Sequence, residues 1–190
     1  MRNLTWLLLA CGSLIARDVV VDSFSSAKLD PAWKITKGKW EIKDGVLTGS
    51  ELTEDKHNAV VRRPLGIRNG KMSVSIRMDG AKSAHVSINQ KGGHLFRVTL
   101  TPVGVTLLKD KPNATSEEKA EVLSKSSTPM AAGVWHTVEI EMKGSKVMAL
   151  IDGKLKLEGD NAKLDVEKFD FGFPVSGVSA SFDNVKITTE

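Results

Sequence analysis

Histidine suits proton transfer near neutral pH, and arginine suits the holding of an oxyanion or of neighbouring sugar hydroxyls. His85, Arg77 and Arg97 fall within one stretch, Met72 to Leu100, interleaved with Ser87, Asn89 and Thr99. Such a set could recognise a polyhydroxylated ligand. With His85 as general acid/base and the arginines holding an oxyanion, it could also carry out proton transfer.

These residues can act together only if strands carry them. In Met72-Ser-Val-Ser-Ile-Arg-Met78, apolar residues alternate strictly with Ser73, Ser75 and Arg77, the period of a half-buried strand. Ala84 to Asn89 turns Ala84, Val86 and Ile88 inward and His85, Ser87 and Asn89 outward; Leu95 to Leu100 turns Phe96, Val98 and Leu100 inward. A hairpin at Asp79–Lys82 would set Arg77 opposite His85, Ser75 opposite Ser87 and Ser73 opposite Asn89. A Lys91-Gly92-Gly93 turn sets Ser87 opposite Arg97 and His85 opposite Thr99. Together the two hairpins predict one solvent-facing surface bearing Arg77, His85, Ser87, Asn89, Arg97 and Thr99. A one-residue slip would scatter them. The competing reading is an ordinary wet sheet face carrying serine and threonine.

Other chemistry-bearing residues lie near this stretch. His57, after Glu54-Asp55-Lys56, is a second candidate base, and Arg62-Arg63 follow on the next strand; Arg63 and His94 are candidate ligand contacts. Trp33, in a loop, is a candidate platform for a sugar ring, whereas Trp40 and Trp135 are read as core. The four histidines lack close metal-ligand spacing, which argues against zinc. Asp183, near the last strand, with Asp22 or Asp18 near the first, could hold a structural calcium; local capping by each carboxylate is the alternative. No other cofactor is expected. Ordinary glycosidases need paired carboxylates about 5–10 Å apart. Glu-x-Asp-x-x-Glu does not occur, and Glu139 and Glu141, about 7 Å apart on one strand face, read as a solvated edge.

The chain has 190 residues, enough for one sandwich-sized domain with a substantial core. Its net charge of +4 is spread without a basic block and without aromatics among clustered lysines, so nucleic acid is not an expected partner. Met1 to Ala16 has the positive start and apolar run of a secretory signal, too short to span a membrane. Cleavage after Ala16 would leave a single domain over residues 17–190, exported to the periplasm or beyond. That mature chain has no cysteine, which excludes disulfides and thiol chemistry. Leu8-Leu9-Ala10-Cys11 also matches a lipoprotein signal, with Cys11 as the anchored terminus.

Turn signals punctuate the rest of the chain. Asp44-Gly45 between alternating runs marks a hairpin, Pro64 and Gly66 are expected to end a strand begun at Asn58, and Asp110–Lys119 reads as a surface loop. Strands are expected again from Trp135, from Val147, from Lys154, over Phe169–Val175 and over Val178–Thr188. No segment keeps a helical period. About a dozen short strands, each with one apolar face, require an all-β, two-sheet antiparallel β-sandwich.

Four patches occur in order: Gly38-Lys-Trp-Glu-Ile-Lys-Asp-Gly-Val-Leu-Thr-Gly49, Ala132-Gly-Val-Trp-His-Thr-Val-Glu-Ile140, Ile151-Asp-Gly153 and Ser181-Phe-Asp-Asn-Val-Lys-Ile187. This series resembles the 3-keto-disaccharide hydrolase-like domain family, among the concanavalin A-like lectin/glucanase jelly rolls. The resemblance implies a jelly roll that binds glycan on its concave sheet and, for the family, hydrolysis of 3-keto-glycosides. Three readings stand: a carbohydrate-recognising exported domain using Arg77, His85, Ser87, Asn89 and Arg97; a glycoside hydrolase or lyase with His85 or His57 as base; and a structural or partner-binding sandwich.

Overall fold

The computed structural model describes residues 16–189, so the leader and Cys11 readings fall outside the described residues save for Ala16. Among the described residues fifteen strands account for most of the structure: β1 Arg17–Asp22, β2 Lys34–Lys37, β3 Lys39–Lys43, β4 Val46–Ser50, β5 Ala59–Ile67, β6 Gly70–Met78, β7 Ala81–Gln90, β8 Gly93–Thr101, β9 Gly104–Lys109, β10 Glu121–Ser126, β11 Trp135–Lys143, β12 Lys146–Ile151, β13 Leu155–Asp160, β14 Lys168–Gly177 and β15 Ala180–Thr189. They form two antiparallel sheets. The first runs β13-β12-β11-β6-β15-β4-β3, with β1 also on β15; the second runs β10-β9-β8-β7-β14-β5-β2. Among the described residues no helix is long and apolar enough to cross a membrane.

Local sequence explains the elements. Asp44 and Gly45 both take positive φ, as a two-residue hairpin between β3 and β4 demands. Across that hairpin Trp40 faces Gly49, and the indole occupies the space a Cβ on Gly49 would need. The spacing of those two residues in the first of the four patches is therefore a packing motif. Between the sheets, Phe173 of β14 stacks on Phe182 of β15, with ring centroids 4.3 Å apart and planes 11° apart. Both are fully buried, and they join the central strands of the two layers.

Three expectations change. First, β6 and β7 do not form a hairpin: the chain passes from one sheet to the other at Asp79-Gly80, where Gly80 takes φ +88°. Arg77 therefore faces Trp135 and Ser181 rather than His85. Both strands alternate perfectly, and alternation does not reveal which sheet a strand joins. Second, Pro64 and Gly66 do not end β5, which continues to Ile67; Pro64 lies opposite Asp170, where the β14 register shifts. Third, β10 forms an additional edge strand; its outer positions, including Val122, are exposed, so it carries little apolar signal.

Replacing Phe182 with alanine should remove the inter-sheet stack and leave a cavity. The expected loss is about 3–5 kcal/mol, measured as the urea unfolding free energy. A loss below about 1 kcal/mol would show that the stack does not join the layers as described.

Candidate functional site

Register carries the outward residues of the second sheet into rows. One row runs Lys34, Arg62, Gly172, Ser87, Arg97, Leu108. A parallel row contains His85, Thr99, Thr106 and Lys125, and a third contains Pro64, Asp170, Asn89 and His94. The expected pairs Ser87–Arg97 and His85–Thr99 are present. His85, Ser87 and Asn89 point away from the core yet are only 8%, 4% and 2% exposed. On the first sheet, the outward Ser73, Ser75 and Arg77 of β6 are half-buried. The second sheet thus offers the more recessed outer face.

Buried polar groups must be satisfied from within. His85 Nε2 lies 2.8 Å from Ser83 Oγ and its Nδ1 2.9 Å from Thr99 Oγ1. Burial, reinforced by the Arg97 charge, lowers its pKa to about 4, so the ring is neutral and both nitrogens are occupied.

A second network lies at the far end of β7. Asn89 Nδ2 donates to Asp170 Oδ1 at 2.6 Å, and Arg62 Nη1 lies 3.3 Å from the same oxygen. Asn89 Oδ1 must then accept, and His94 Nδ1 lies 3.0 Å from it. This chain fixes the proton on Nδ1 and leaves His94 Nε2 as an unprotonated nitrogen without a partner among the described residues. Burial lowers the His94 pKa against the opposing charge of Asp110, which favours the neutral ring. Asp110 Oδ1 is 3.1 Å from Arg97 Nη2, while Oδ2 is buried without a partner; burial raises the pKa of that carboxyl.

Arg62, Asn89, His94 and Asp170 line a recess of about 440 Å³, bordered by Pro112–Ala114 and by Phe169. Phe169 is 49% exposed, an aromatic ring at the mouth of a charged and amide-bearing pocket. Gly172 lets β14 lie close against β5, since a Cβ there would fall 2.4 Å from Val61 O and 2.9 Å from Arg62 Cγ.

The sequence-derived site residues separate into groups. His85, Ser87, Asn89, Arg97 and His94 share the recessed face. Arg77 belongs to the other sheet, where it stacks on Trp135 at 4.8 Å and binds Asp79. Trp135 itself is 38% exposed rather than core. Trp33 is 4% exposed, packs on Phe171 and Phe173 and donates its indole N–H to Asp22, so it offers no free ring face. Arg63 alternates inward from Arg62, lies over Trp33 and pairs with Asp22 and Asp30. His57 is exposed, bonded through Nδ1 to Asn58 O, and borders a dip with Lys82 at the opposite end of β7, roughly 20 Å from Asn89 by strand rise. Asp22 also accepts from Phe24 N, and Asp183 accepts from the Asn184 backbone and side chain. Among the described residues no group of three or more His, Cys, Asp or Glu could hold a metal ion.

Asp170, Asp110 and Phe169 were not among the sequence-derived candidates. The alternation Phe171, Phe173, Val175 already turns Asp170 outward. Its place beside Asn89 depends on a pairing between residues 81 positions apart, which no local pattern encodes.

A model of the 3-keto-alpha-glucoside-1,2-lyase-like domain matches residues 21–188. Among solved structures, the carbohydrate-binding module CBM66 from Bacillus subtilis is similar, at 16% identity and TM-score 0.67, covering 81% of this chain and 93% of that one. A non-specific endo-beta-1,3(4)-glucanase of family GH16, SCLam, shares 12% identity at TM-score 0.69, covering 92% of this chain and 91% of that one. A sialidase aligns at 14% identity and TM-score 0.69 over 92% of this chain but 18% of its own. At such identities the likeness establishes the jelly-roll fold. None of the curated proteins compared with the chain matches it.

The lowered pKa of His85 has a defined consequence for stability. Between pH 6.5 and about 4 the unfolded histidine takes up a proton and the folded one does not, so stability falls on acidification. The loss is about 3 kcal/mol and is complete near pH 4, below which both states are protonated. Urea unfolding at pH 7 and pH 4.5 should show a clearly smaller acid loss in His85→Gln than in wild type. Equal losses would mean that His85 is protonated in the fold.

Proposed function

The chain belongs to the 3-keto-alpha-glucoside-1,2-lyase-like domain family, and from that premise we propose that it recognises carbohydrate on the outer face of its second sheet. The observation that carries this is Phe169, an exposed ring beside a recess lined by Arg62, Asn89, His94 and Asp170. A pyranose presents an apolar C–H face and a rim of hydroxyls. The ring of Phe169 suits the first, and the bidentate donors and acceptors of arginine, amide and carboxylate suit the second. In this reading the leader directs export, and the mature domain meets its glycan outside the cytoplasm.

A second reading, elimination on a 3-keto-glycoside, is favoured by the free Nε2 of His94. The proton next to a sugar ketone is acidic because the resulting carbanion is an enolate. His94 Nε2 would take that proton, Arg62 or Arg97 would hold the enolate oxygen, and collapse of the enolate would break the glycosidic C–O bond. The protonated ring then returns its proton to the departing alkoxide, leaving an unsaturated keto sugar and a free alcohol. His85 is poorly placed for this step, since both its nitrogens are engaged.

An array of glycans and 3-keto-glycosides, read for both binding and product, separates the readings. Phe169→Ala should weaken sugar binding about fivefold, the equivalent of roughly 1 kcal/mol. His94→Gln should leave binding within a few-fold and, if product forms, slow its formation by about 10²–10⁴. A protein that neither binds nor converts any sugar would leave the partner-binding reading.

A further inference from the structure

The recess beside Phe169 has a fixed hydrogen-bond polarity. A carboxylate can only accept, so Asp170 Oδ1 takes the amide nitrogen of Asn89 at 2.6 Å and turns Asn89 Oδ1 toward His94 Nδ1 at 3.0 Å. That amide oxygen can only accept in its turn. The His94 ring, kept neutral by partial burial, therefore holds its proton on Nδ1. Two acceptors are left open: His94 Nε2, and Asp170 Oδ2, since both contacts of that carboxylate fall on Oδ1. Neither has a partner among the described residues. Other polar side chains of the recess are engaged. Asn113 Oδ1 accepts from Thr115 N, Thr115 Oγ1 and Ser116 N, and Gln90 Nε2 reaches the His94 carbonyl.

One cation stands with the two acceptors. Arg62 Nη1 lies 3.3 Å from Asp170 Oδ1, and the other N–H groups of Arg62 have no partner among the described residues. A ligand edge laid against this set must donate twice and accept at least once. A sugar hydroxyl does both. An ammonium group donates but has no lone pair for Arg62. A carboxylate, a sulfate or an ether oxygen only accepts, and would set lone pair against lone pair at His94 and Asp170. Open to solvent, these groups bond to water, and hydroxyls can take over those bonds while Phe169 meets the C–H face of the ring.

We infer that the recess reads two unsubstituted hydroxyls on one edge of a neutral sugar, donated to Asp170 Oδ2 and His94 Nε2, and that Asn89 is the positioning residue that makes His94 an acceptor. The inference rests on the sugar-binding reading above and names the ligand edge for it. Asn89 is buried and held from both sides, so its amide cannot turn over without setting its oxygen against the Asp170 carboxylate. Without that amide the ring is released to the Nε2–H tautomer that free histidine favours, and the same nitrogen becomes a donor. The polarity that an exposed histidine shows a ligand is thus set by a buried neighbour.

The test uses the full chain at about pH 7.5, where a histidine whose pKa is lowered by burial is neutral. The first readout is the nitrogen NMR spectrum of isotope-labelled imidazole rings, which separates protonated from unprotonated nitrogens, with His94 assigned through His94→Gln. Wild type should show Nδ1 protonated and Nε2 bare; Asn89→Leu should move the proton of His94 largely to Nε2. The second readout is affinity for maltose, cellobiose, lactose and sucrose, each against its series of single deoxyfluoro analogues. Fluorine keeps nearly the size of a hydroxyl and cannot donate. For the tightest binder, substitution at two positions on one edge should each weaken binding about tenfold, and elsewhere less than about twofold. In Asn89→Leu the loss read by His94 should shrink to about twofold or less, and the loss read by Asp170 should remain. Digalacturonate and chitosan disaccharide should bind about tenfold more weakly than that sugar or worse. An Nε2–H ring in wild type, indifference to the position of fluorine, or tighter binding of either charged disaccharide would overturn the inference and leave the sugar-binding reading standing. An equal loss for the parent sugar and every analogue in Asn89→Leu would make Asn89 merely structural and overturn its positioning role. The wild-type spectrum and fluorine series decide the inference even if that variant does not fold. Failure of every sugar to bind, here and on the glycan array, would overturn both.

Discussion

The placement of β14 between β5 and β7 is the constraint on which core and site both depend. Its inward residues, Phe171, Phe173 and Val175, are fully buried, and Phe173 reaches across to Phe182 of the other sheet. Burying one such phenylalanine contributes about 1.5–3 kcal/mol, so the strand cannot slide by one residue without turning that face into water. The same register fixes the opposite face. Asp170 must then stand beside Asn89 on one side and Pro64 on the other, with Gly172 between Ser87 and Arg62. The recess is therefore positioned by the packing of the side it does not share.

Recession imposes its own chemistry. An outward asparagine or histidine on an open sheet would be hydrated; here the buried Asn89 and His85 must find partners in the protein, because an unsatisfied buried group costs about 1–3 kcal/mol. The result is a directional chain from Asp170 through Asn89 to His94, in which each donor fixes the next group's role. Its end, on the exposed His94, is a ring nitrogen with a lone pair and no partner among the described residues. His85 meets the same requirement with two hydroxyls and so closes on itself. Two histidines on one face thus acquire different capacities from their neighbours alone. Asp110 Oδ2 stands apart: it is buried without a partner among the described residues, and the charge of Arg97 is what keeps the rest of that carboxyl tolerable.

Period-two alternation was enough to recognise the sandwich, the inward residues of β6, β7 and β8, and the pairing of β7 with β8, because each of these follows from local pattern and a short glycine turn. Arg77 marks where it stops. A two-residue turn at Asp79-Gly80 and a passage between layers have the same local sequence, and only packing decides between them. Trp33 and Trp135 were exchanged for a related reason: indole size favours burial in general, while their actual environments depend on whether the Asp22 carboxylate or the Arg77 guanidinium meets the ring. Arg62 and Arg63 were legible in principle. Val61 and Arg63 share one side of β5, so Arg62 had to take the other, and the expected break at Pro64 concealed a strand that continues.

Two groups on the second sheet are not what stability alone asks for. Paired surface charges on the first sheet serve solubility and add little to folding, since exposed pairs are worth about 0–1 kcal/mol. On the second sheet, stability alone would favour a polar substitute for the half-exposed Phe169 and an apolar one for the buried carboxyl of Asp110. The half-exposed ring of Phe169 carries a cost that covering it would offset, whereas the free nitrogen of His94 belongs to an exposed residue and is open to water. Phe169 and Asp110, with Asn89, His94 and Asp170, lie within one registered surface a few strands wide. Their nearness at one end of the second sheet follows from the register that joins β14, β7 and β8.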